Sequence, residues 1–286
     1  MKIAVTGTTG QLGLALLKAL DNREFNTFSL DRKGLDLTGL ANINKSLSGF
    51  DPDIMINCAA FTDVDDSEIR TEYAYAINAA APTELAKYCY QNEIKFIHIS
   101  TDSVFSSSAP FFFQPFDLPA PVNVYSWSKL LGEIGVMREH PIGATVIRTS
   151  WLFSHGANKF VQAIIKQGRS GQAFKVVNDQ FGQPTSAKSL AEFIVFLITT
   201  DSANGIYHLA SSNYVSRYEF ARNILDKFQL NSDLVVPCAT VSSVGIAERP
   251  KYSLLDVTES SVNGYTGITI WEQELERFFD SVTGDQ

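Results

Sequence analysis

The feature that most constrains this chain is a glycine triplet near its start. Gly7, Gly10 and Gly13 fall in the run TGTTGQLG (6–13), directly after an apolar, β-branched segment over 2–6 and directly before helical apolar spacing over 12–20. Glycines spaced GxxGxxG between a strand and a helix allow a tight turn, a close approach of backbone to a pyrophosphate, and close packing of helix on strand. The helix that follows offers free amides and a partial positive charge to phosphates. The glycines alone would be weak grounds, because a purely structural turn can carry them. Their placement predicts the first turn of a dinucleotide-binding fold, with Gly7, Gly10, Gln11 and Leu12 along the cofactor.

The rhythm downstream agrees. Short apolar runs predict strands over 25–30, 53–57, 94–100 and 144–149, alternating with helices over 39–49, 71–92 and 124–139. Such alternation implies right-handed crossovers and a parallel sheet. The fold class expected is α/β, a Rossmann-type doubly wound parallel sheet with a smaller C-terminal α/β substrate lobe. After Trp151 the spacing predicts helices over 158–167, 186–199, 216–228 and 268–281 and strands over 174–177, 205–209 and 234–237. We therefore expect a Rossmann domain over 1–151 and a mainly substrate-binding lobe over 152–286, with elements around 186–211 returning to the first domain. A proline-bounded aromatic segment, PFFFQPFDLP (110–119), reads as a loop packed on the core or a neighbour, or as a lid.

Composition narrows the partners. The 286 residues suffice for a large core, and the net charge of −8 argues against nucleic acid and anionic membrane surfaces. An anionic ligand would need local cations. The first residues read as a strand, so no leader is expected, and the best apolar run, 193–198, is too short to cross a bilayer. Cys58, Cys89 and Cys238 are scattered as in a reduced, cytoplasmic protein, and His98, His140, His155 and His208 lack metal-ligand spacing. No metal is expected.

Asp31 ends the second strand, 18 residues after Gly13, where an acid bonds a ribose 2′-hydroxyl and favours NADH. Arg32 and Lys33 would instead neutralise a 2′-phosphate and favour NADPH. The two signals oppose each other, and the cofactor stays NADPH or NADH. Asp36 and Leu37 flank the adenine or form a solvated turn. Cys58, Ala59 and Ala60, small residues ending the third strand, would let ribose and phosphate lie close. Tyr125 and Lys129 form YxxxK on a predicted helix, on one face. An ammonium beside a phenol favours the phenolate, so Lys129 is expected to acidify Tyr125 and to hold the nicotinamide ribose. Tyr125 could then protonate a carbonyl oxygen as hydride reaches carbon. Thr101 and Asp102 end the fourth strand at the crevice; Thr101 can hold the substrate oxygen or merely cap a loop. Asn78, mid-helix, anchors a water or a backbone kink, or is simply solvated.

With these residues in place, the chain resembles the extended short-chain dehydrogenases/reductases, and within them the dTDP-4-dehydrorhamnose reductase family. The resemblance rests on TGTTGQLG (6–13), LDLT (35–38), INCAAFTDVDDSE (56–68), HISTDSVF (98–105), NVYSWSKLLGE (123–133), VIRTSWLF (146–153), VVNDQFGQPTS (177–186), GIYHLAS (205–211) and RPKYSLLD (249–256), in order across most of the chain. It implies reduction of the 4-keto group of a 6-deoxy sugar on dTDP, with Thr101, Tyr125 and Lys129 as the catalytic set. It also implies that Trp151 and the segment containing Gln180 shape the sugar pocket, with Arg249 near the phosphates or base. The substrate is thus a nucleotide sugar; a homodimer is compatible with this. Three positions depart from the family pattern: Ser103 where an aromatic is usual, Ser106–Ser107–Ser108 where Asp-Gly is usual, and Ser126 where Gly is usual. They bear on the exact sugar more than on hydride transfer. Some relatives bind interfacial magnesium through glutamates, but no such cluster is placed here.

Competing readings are an epimerase or dehydratase, and a non-catalytic regulatory subunit that binds dinucleotide. Ser103 lacks the acid a dehydratase needs after Thr-Asp. An intact Thr101, Tyr125 and Lys129 argues against a pure binder.

Overall fold

The computed structural model describes all residues except 24, 40–42, 48, 155–158, 203, 241–245, 259, 261–263 and 284–286. Six β-branched or apolar runs become one sheet: β1 (Lys2–Thr6), β2 (Asn26–Leu30), β3 (Ile54–Asn57), β4 (Lys95–Thr101), β5 (Ala144–Thr149) and β6 (Gly205–Leu209). The order is β6-β5-β4-β3-β1-β2, and every neighbouring pair is parallel. The α/β, Rossmann-type expectation is met. Strand order reverses between β1 and β3, so a crevice opens there beyond the carboxyl ends of the strands.

Strand alternation explains the two cores. Ile3, Val5, Ile56, Ile97 and Ile147 face the helices Gln11–Asp21 and Ala187–Thr199, packing on Leu12, Leu16, Leu190 and Ile194. Ala4, Met55, Phe96 and Val146 face the other side, against Leu85, Cys89 and Val136. The latter three lie on the helices Ala81–Gln91 and Val124–Glu139. With helices covering both faces, β3 and β5 are buried along their whole length. The helix Ala187–Thr199 and β6 belong to this sheet layer although they lie late in the chain. The C-terminal elements gather a separate cluster around Phe153, Phe220, Ile224, Trp271 and Leu275. There the strands Phe174–Val177 and Val235–Cys238 pair in parallel.

Several boundaries differ from the sequence expectation. Of the helix expected over 39–49, the described residues include the helix Ile43–Leu47, with Ile43 and Leu47 in the second core cluster; residues 40–42 and 48 lie outside the described set. The helix expected over 71–92 is broken into Thr71–Tyr75, a π-helical turn Ala76–Ala80, and Ala81–Gln91. Pro82 explains the break: it has no N–H to return to the carbonyl of Asn78. Residues 158–167 become Lys159–Ser170, with residue 158 outside the described set. The terminal helix begins at Trp271. Within 110–119, Phe112–Phe113 pairs in parallel with Leu254–Leu255, and Phe113 stacks on Phe105 at 4.4 Å. Phe111, Phe116 and Leu118 remain exposed. The three cysteines are free thiols, and among the described residues no helix is long and apolar enough to cross a membrane.

Candidate active site

The glycine loop lies against the end of β3. Gly7 has φ +68°, and a Cβ there would stand 2.6 Å from the Ala59 nitrogen. A Cβ on Gly13 would stand 2.3 Å from the Gly7 carbonyl oxygen, so the helix can start this close to β1 only with glycine. Gly10, at the N-cap, supplies no side-chain cap, and the first turn carries no acid. Its amides are left for an anion. The cradle, the uncapped helix and the small residues Cys58, Ala59 and Ala60 fit a dinucleotide. Gln11 accepts a hydrogen bond from Ser154 (3.2 Å) and so reaches the second lobe. Leu12 is buried in the core under the loop. Asp31 accepts from the amides of Lys33 (2.9 Å) and Gly34 (2.8 Å), while Arg32 stays exposed. Asp36 accepts from the amide (3.0 Å) and hydroxyl (2.8 Å) of Thr38, and these bonds hold its carboxyl below the usual range. Leu37 packs on the second core cluster.

The helix Val124–Glu139 brings Tyr125 and Lys129 to the end of β4. Its N-terminus is fixed from three sides. Asn123 accepts from the Ser126 amide (2.8 Å) and donates to the Glu248 carbonyl (2.7 Å), and Glu68 accepts from the Val124 amide (2.9 Å). Gly132 lets the helix approach closely, since a Cβ there would stand 2.1 Å from the Asn78 carbonyl oxygen. Asn78 itself clamps Phe61 through both amide atoms (2.8 and 2.9 Å) and donates to Ser128 (3.0 Å), so it anchors the π-helical kink. Ser103 and Ser126, two of the departures from the family pattern, meet in a mutual hydroxyl hydrogen bond.

Electrostatics correct one expectation. Lys129 is buried, donates to the Ile99 carbonyl (2.6 Å) and lies 3.3 Å from His98 Nε2. Burial pulls it down to about 8, against the pull of Glu133 and Cys58. Tyr125 is not acidified. Burial pushes its phenol up to about 12; a hydrogen bond with Thr101 draws it down and Asp102 pushes it up. The desolvation of the phenol outweighs what favours the phenolate. Tyr125 is therefore fully protonated at neutral pH, as a proton donor must be. Burial likewise pushes the Cys58 thiol up to about 12, so this side chain acts as a small neutral wall. Behind Lys129, Thr6 donates to Asn57 Oδ1 (2.6 Å), and Asn57 Nδ2 lies 3.1 Å from His98 Nδ1. Burial, then Lys129, keep His98 neutral.

At the end of β4, Asp102 accepts from Ser253 (2.6 Å), Ser150 (2.9 Å) and Thr101 (3.1 Å), and its burial raises its pKa. Trp151 sits at φ +41°, with Gly182 beneath its indole: a Cβ on Gly182 would stand 2.2 Å from the ring. Gln180 donates to Thr240 (3.1 Å). Arg249 pairs with Asp65 (3.0 Å) and donates to the Ala247 carbonyl (2.9 Å), so an internal carboxylate already engages it.

Sequence reasoning missed three groups. Arg217 lies over Trp151 at 3.6 Å. Gln183, fully buried, donates to the Ser211 (2.7 Å) and Leu255 (3.0 Å) carbonyls and joins the lobes. Glu133 and Arg148 form a buried ion pair at 2.7 Å beneath the site. Only Glu133 carried a readable signal, an acid one turn after Lys129 on the same helix. Among the described residues, no group of three or more His, Cys, Asp or Glu is placed to hold a metal ion.

A parallel sheet with a glycine-lined switch point, and a Tyr-Lys pair on the helix beside it, defines the extended short-chain dehydrogenase/reductase class. The comparisons narrow this. A family model, the RmlD substrate binding domain, matches residues 1–283, and the chain belongs to that family. The spore coat polysaccharide biosynthesis protein SpsK of Bacillus subtilis is 35% identical, over 89% of this chain and 88% of its own. A dTDP-4-dehydrorhamnose reductase of Mycobacterium tuberculosis is 32% identical over 96% and 91%. The crystal structure of dTDP-4-dehydrorhamnose reductase from Bacillus anthracis in complex with NADP superposes with a TM-score of 0.92 at 35% identity, covering 98% of this chain and 99% of that one.

Proposed function

We propose that this chain reduces the 4-keto group of a nucleotide-linked 6-deoxy sugar, dTDP-4-dehydrorhamnose or a close analogue, with NADPH or NADH. The observation that carries the reading is the position of Tyr125. Its phenol is protonated, bonded to Thr101 and one helical turn from Lys129, beside a glycine loop shaped for a dinucleotide. Relatives named for this reaction cover nearly the whole chain.

When bound, the reduced nicotinamide supplies a hydride to C4 of the sugar. The residues do the rest. Tyr125 donates to the ketone oxygen, and Thr101, whose hydroxyl hydrogen would turn from Asp102 to that oxygen, holds it at the end of β4. As C4 gains the hydride, the C=O double bond becomes C–O⁻, and Tyr125 gives its proton to that oxygen. The transfer runs downhill even from a phenol near 12, because a sugar alkoxide is far more basic. Lys129, held by the Ile99 carbonyl, would bind the ribose of the nicotinamide half. Gly7, Gly10 and the amides after them take the pyrophosphate, and Asp31 or Arg32 the adenosine ribose. Trp151 and Gln180 wall the sugar, and Arg249 lies toward the nucleotide.

The test is spectrophotometric oxidation of NADPH with dTDP-4-dehydrorhamnose. Tyr125→Phe should lower kcat by about 10²–10⁴ with cofactor affinity kept. Turnover equal to wild type would sink the mechanism. Binding of dinucleotide without oxidation by any keto sugar would favour the regulatory alternative.

A further inference from the structure

Strand register lines up three buried polar residues: Thr6 on β1 pairs with Asn57 on β3, and Asn57 with His98 on β4. They lie two residues beyond Ala4, Met55 and Phe96, so they share the face covered by the helix Val124–Glu139, and the row ends on buried Lys129. Groups this buried keep their hydrogen bonds, so donor and acceptor must alternate along the row. The Ala59 amide can only donate, and it donates to Asn57 Oδ1 (3.2 Å); Thr6 donates to the same oxygen (2.6 Å). The Asn57 nitrogen therefore faces His98 Nδ1 (3.1 Å) and donates to it. In a neutral imidazole an accepting Nδ1 leaves the proton on Nε2, and burial, then Lys129, keep His98 neutral. That Nε2–H points at Lys129 Nζ, 3.3 Å away. An ammonium has donors only and cannot receive it, whereas a neutral amine offers a lone pair. The Ile99 carbonyl takes one of the amine's two N–H groups (2.6 Å).

We propose that His98 is a positioning residue for Lys129: held by Asn57 as the Nε2–H tautomer, it donates to the Lys129 amine and leaves that amine one N–H for the dinucleotide. This rests on the reading above, in which Lys129 binds the nicotinamide ribose, and adds the group that governs its proton. His98 favours the uncharged amine, so the charge on Lys129 follows pH in the range where the protein works. The groups that bear on Lys129 are few. Cys58 reaches it from the end of β3, His98 from β4, and Glu133 from its own helix, with Arg148 of β5 already paired to Glu133. Glu68, on the helix Val64–Ile69, is engaged by the Val124 amide, and Asp102 acts on Tyr125. Burial pushes Cys58 and Tyr125 up to about 12 and, with Lys129, holds His98 well below its ordinary value. Lys129, drawn down to about 8 by burial, titrates between them.

The experiment is NMR of the full chain with isotope-labelled nitrogen. In the wild type the His98 ring should carry its proton on Nε2 and none on Nδ1. This measurement needs no variant, so it decides the tautomer even where a substitution unfolds the chain. The Lys129 side-chain resonance, assigned by its loss in Lys129→Arg, is then followed against pH. His98→Phe removes the donor and should raise the Lys129 midpoint by about half to one pH unit. His98→Gln offers an oxygen to Asn57 and an N–H to Lys129, and should stay near the wild-type midpoint. The pH dependence of NADPH affinity, read by fluorescence titration, should move with that midpoint, which loss of packing alone would not cause. A proton on Nδ1 in the wild type, an unchanged midpoint in His98→Phe, or equal shifts in the Phe and Gln variants would overturn the assignment. The expected tautomer and shifts in a protein that reduces no keto sugar would leave it standing while the catalytic reading fell.

Discussion

Replacing Glu133 by Leu should destabilise the protein strongly. Glu133 is 2% exposed and accepts from Arg148 Nε (3.0 and 3.2 Å), Arg148 Nη2 (2.7 Å) and the Ser100 hydroxyl. Its loss leaves the Arg148 guanidinium buried with the Pro115 carbonyl (2.9 Å) and His208 Nε2 (3.3 Å) as its remaining hydrogen-bond partners. His208 cannot compensate, because burial and Arg148 itself hold it neutral, near 3. Breaking a buried pair from one side costs about 3–5 kcal/mol. For a chain of this size that is a fall in Tm on the order of 10 °C. Removing both charges is different: Glu133→Leu with Arg148→Met leaves no orphaned ion and should recover most of the loss. The assay is urea unfolding of the wild type, both single variants and the double variant, read as a double-mutant cycle. If each single variant lies within about 1 kcal/mol of wild type, or the double variant loses the sum of the singles, the pair is not the buried, coupled unit described.

Gly182→Ala should raise KM for the sugar nucleotide and shift tryptophan fluorescence, because the added Cβ meets the Trp151 indole at 2.2 Å; unchanged KM and emission would contradict that packing. Arg32→Ala should weaken NADPH far more than NADH if Arg32 meets the 2′-phosphate; titration showing equal losses would remove it from that role. Lys129, at about 8 in the folded chain against its ordinary 10.5, contributes stability that is present above 10.5 and lost as pH falls through 8. Wild-type stability relative to Lys129→Met should therefore rise by about 3 kcal/mol across that window, and a flat difference in unfolding free energy would refute the burial argument.

What the sequence determined by itself was local and periodic. Glycines between a strand and a helix are demanded by backbone geometry at Gly7 and Gly13, and no tertiary context is needed to read them. Tyr125 and Lys129 share a face because 3.6 residues make a turn, and the apolar runs of β3 and β5 announce strands buried on both faces. Tertiary structure decided what depends on residues far apart in the chain. The state of Tyr125 is one case: the spacing suggested an acidified phenol, but burial, with Asp102 nearby, reverses the shift. Desolvation depends on what covers a group, and no spacing records that. Arg217 and Trp151 lie 66 positions apart, and Arg148 and Glu133 come from a strand and a helix. Their pairing exists only once the sheet has closed. The break at Asn78 lies between these cases. Pro82, four residues on, spells it out in the sequence, yet only the contact with Gly132 shows that the kink is what seats the helix bearing Tyr125.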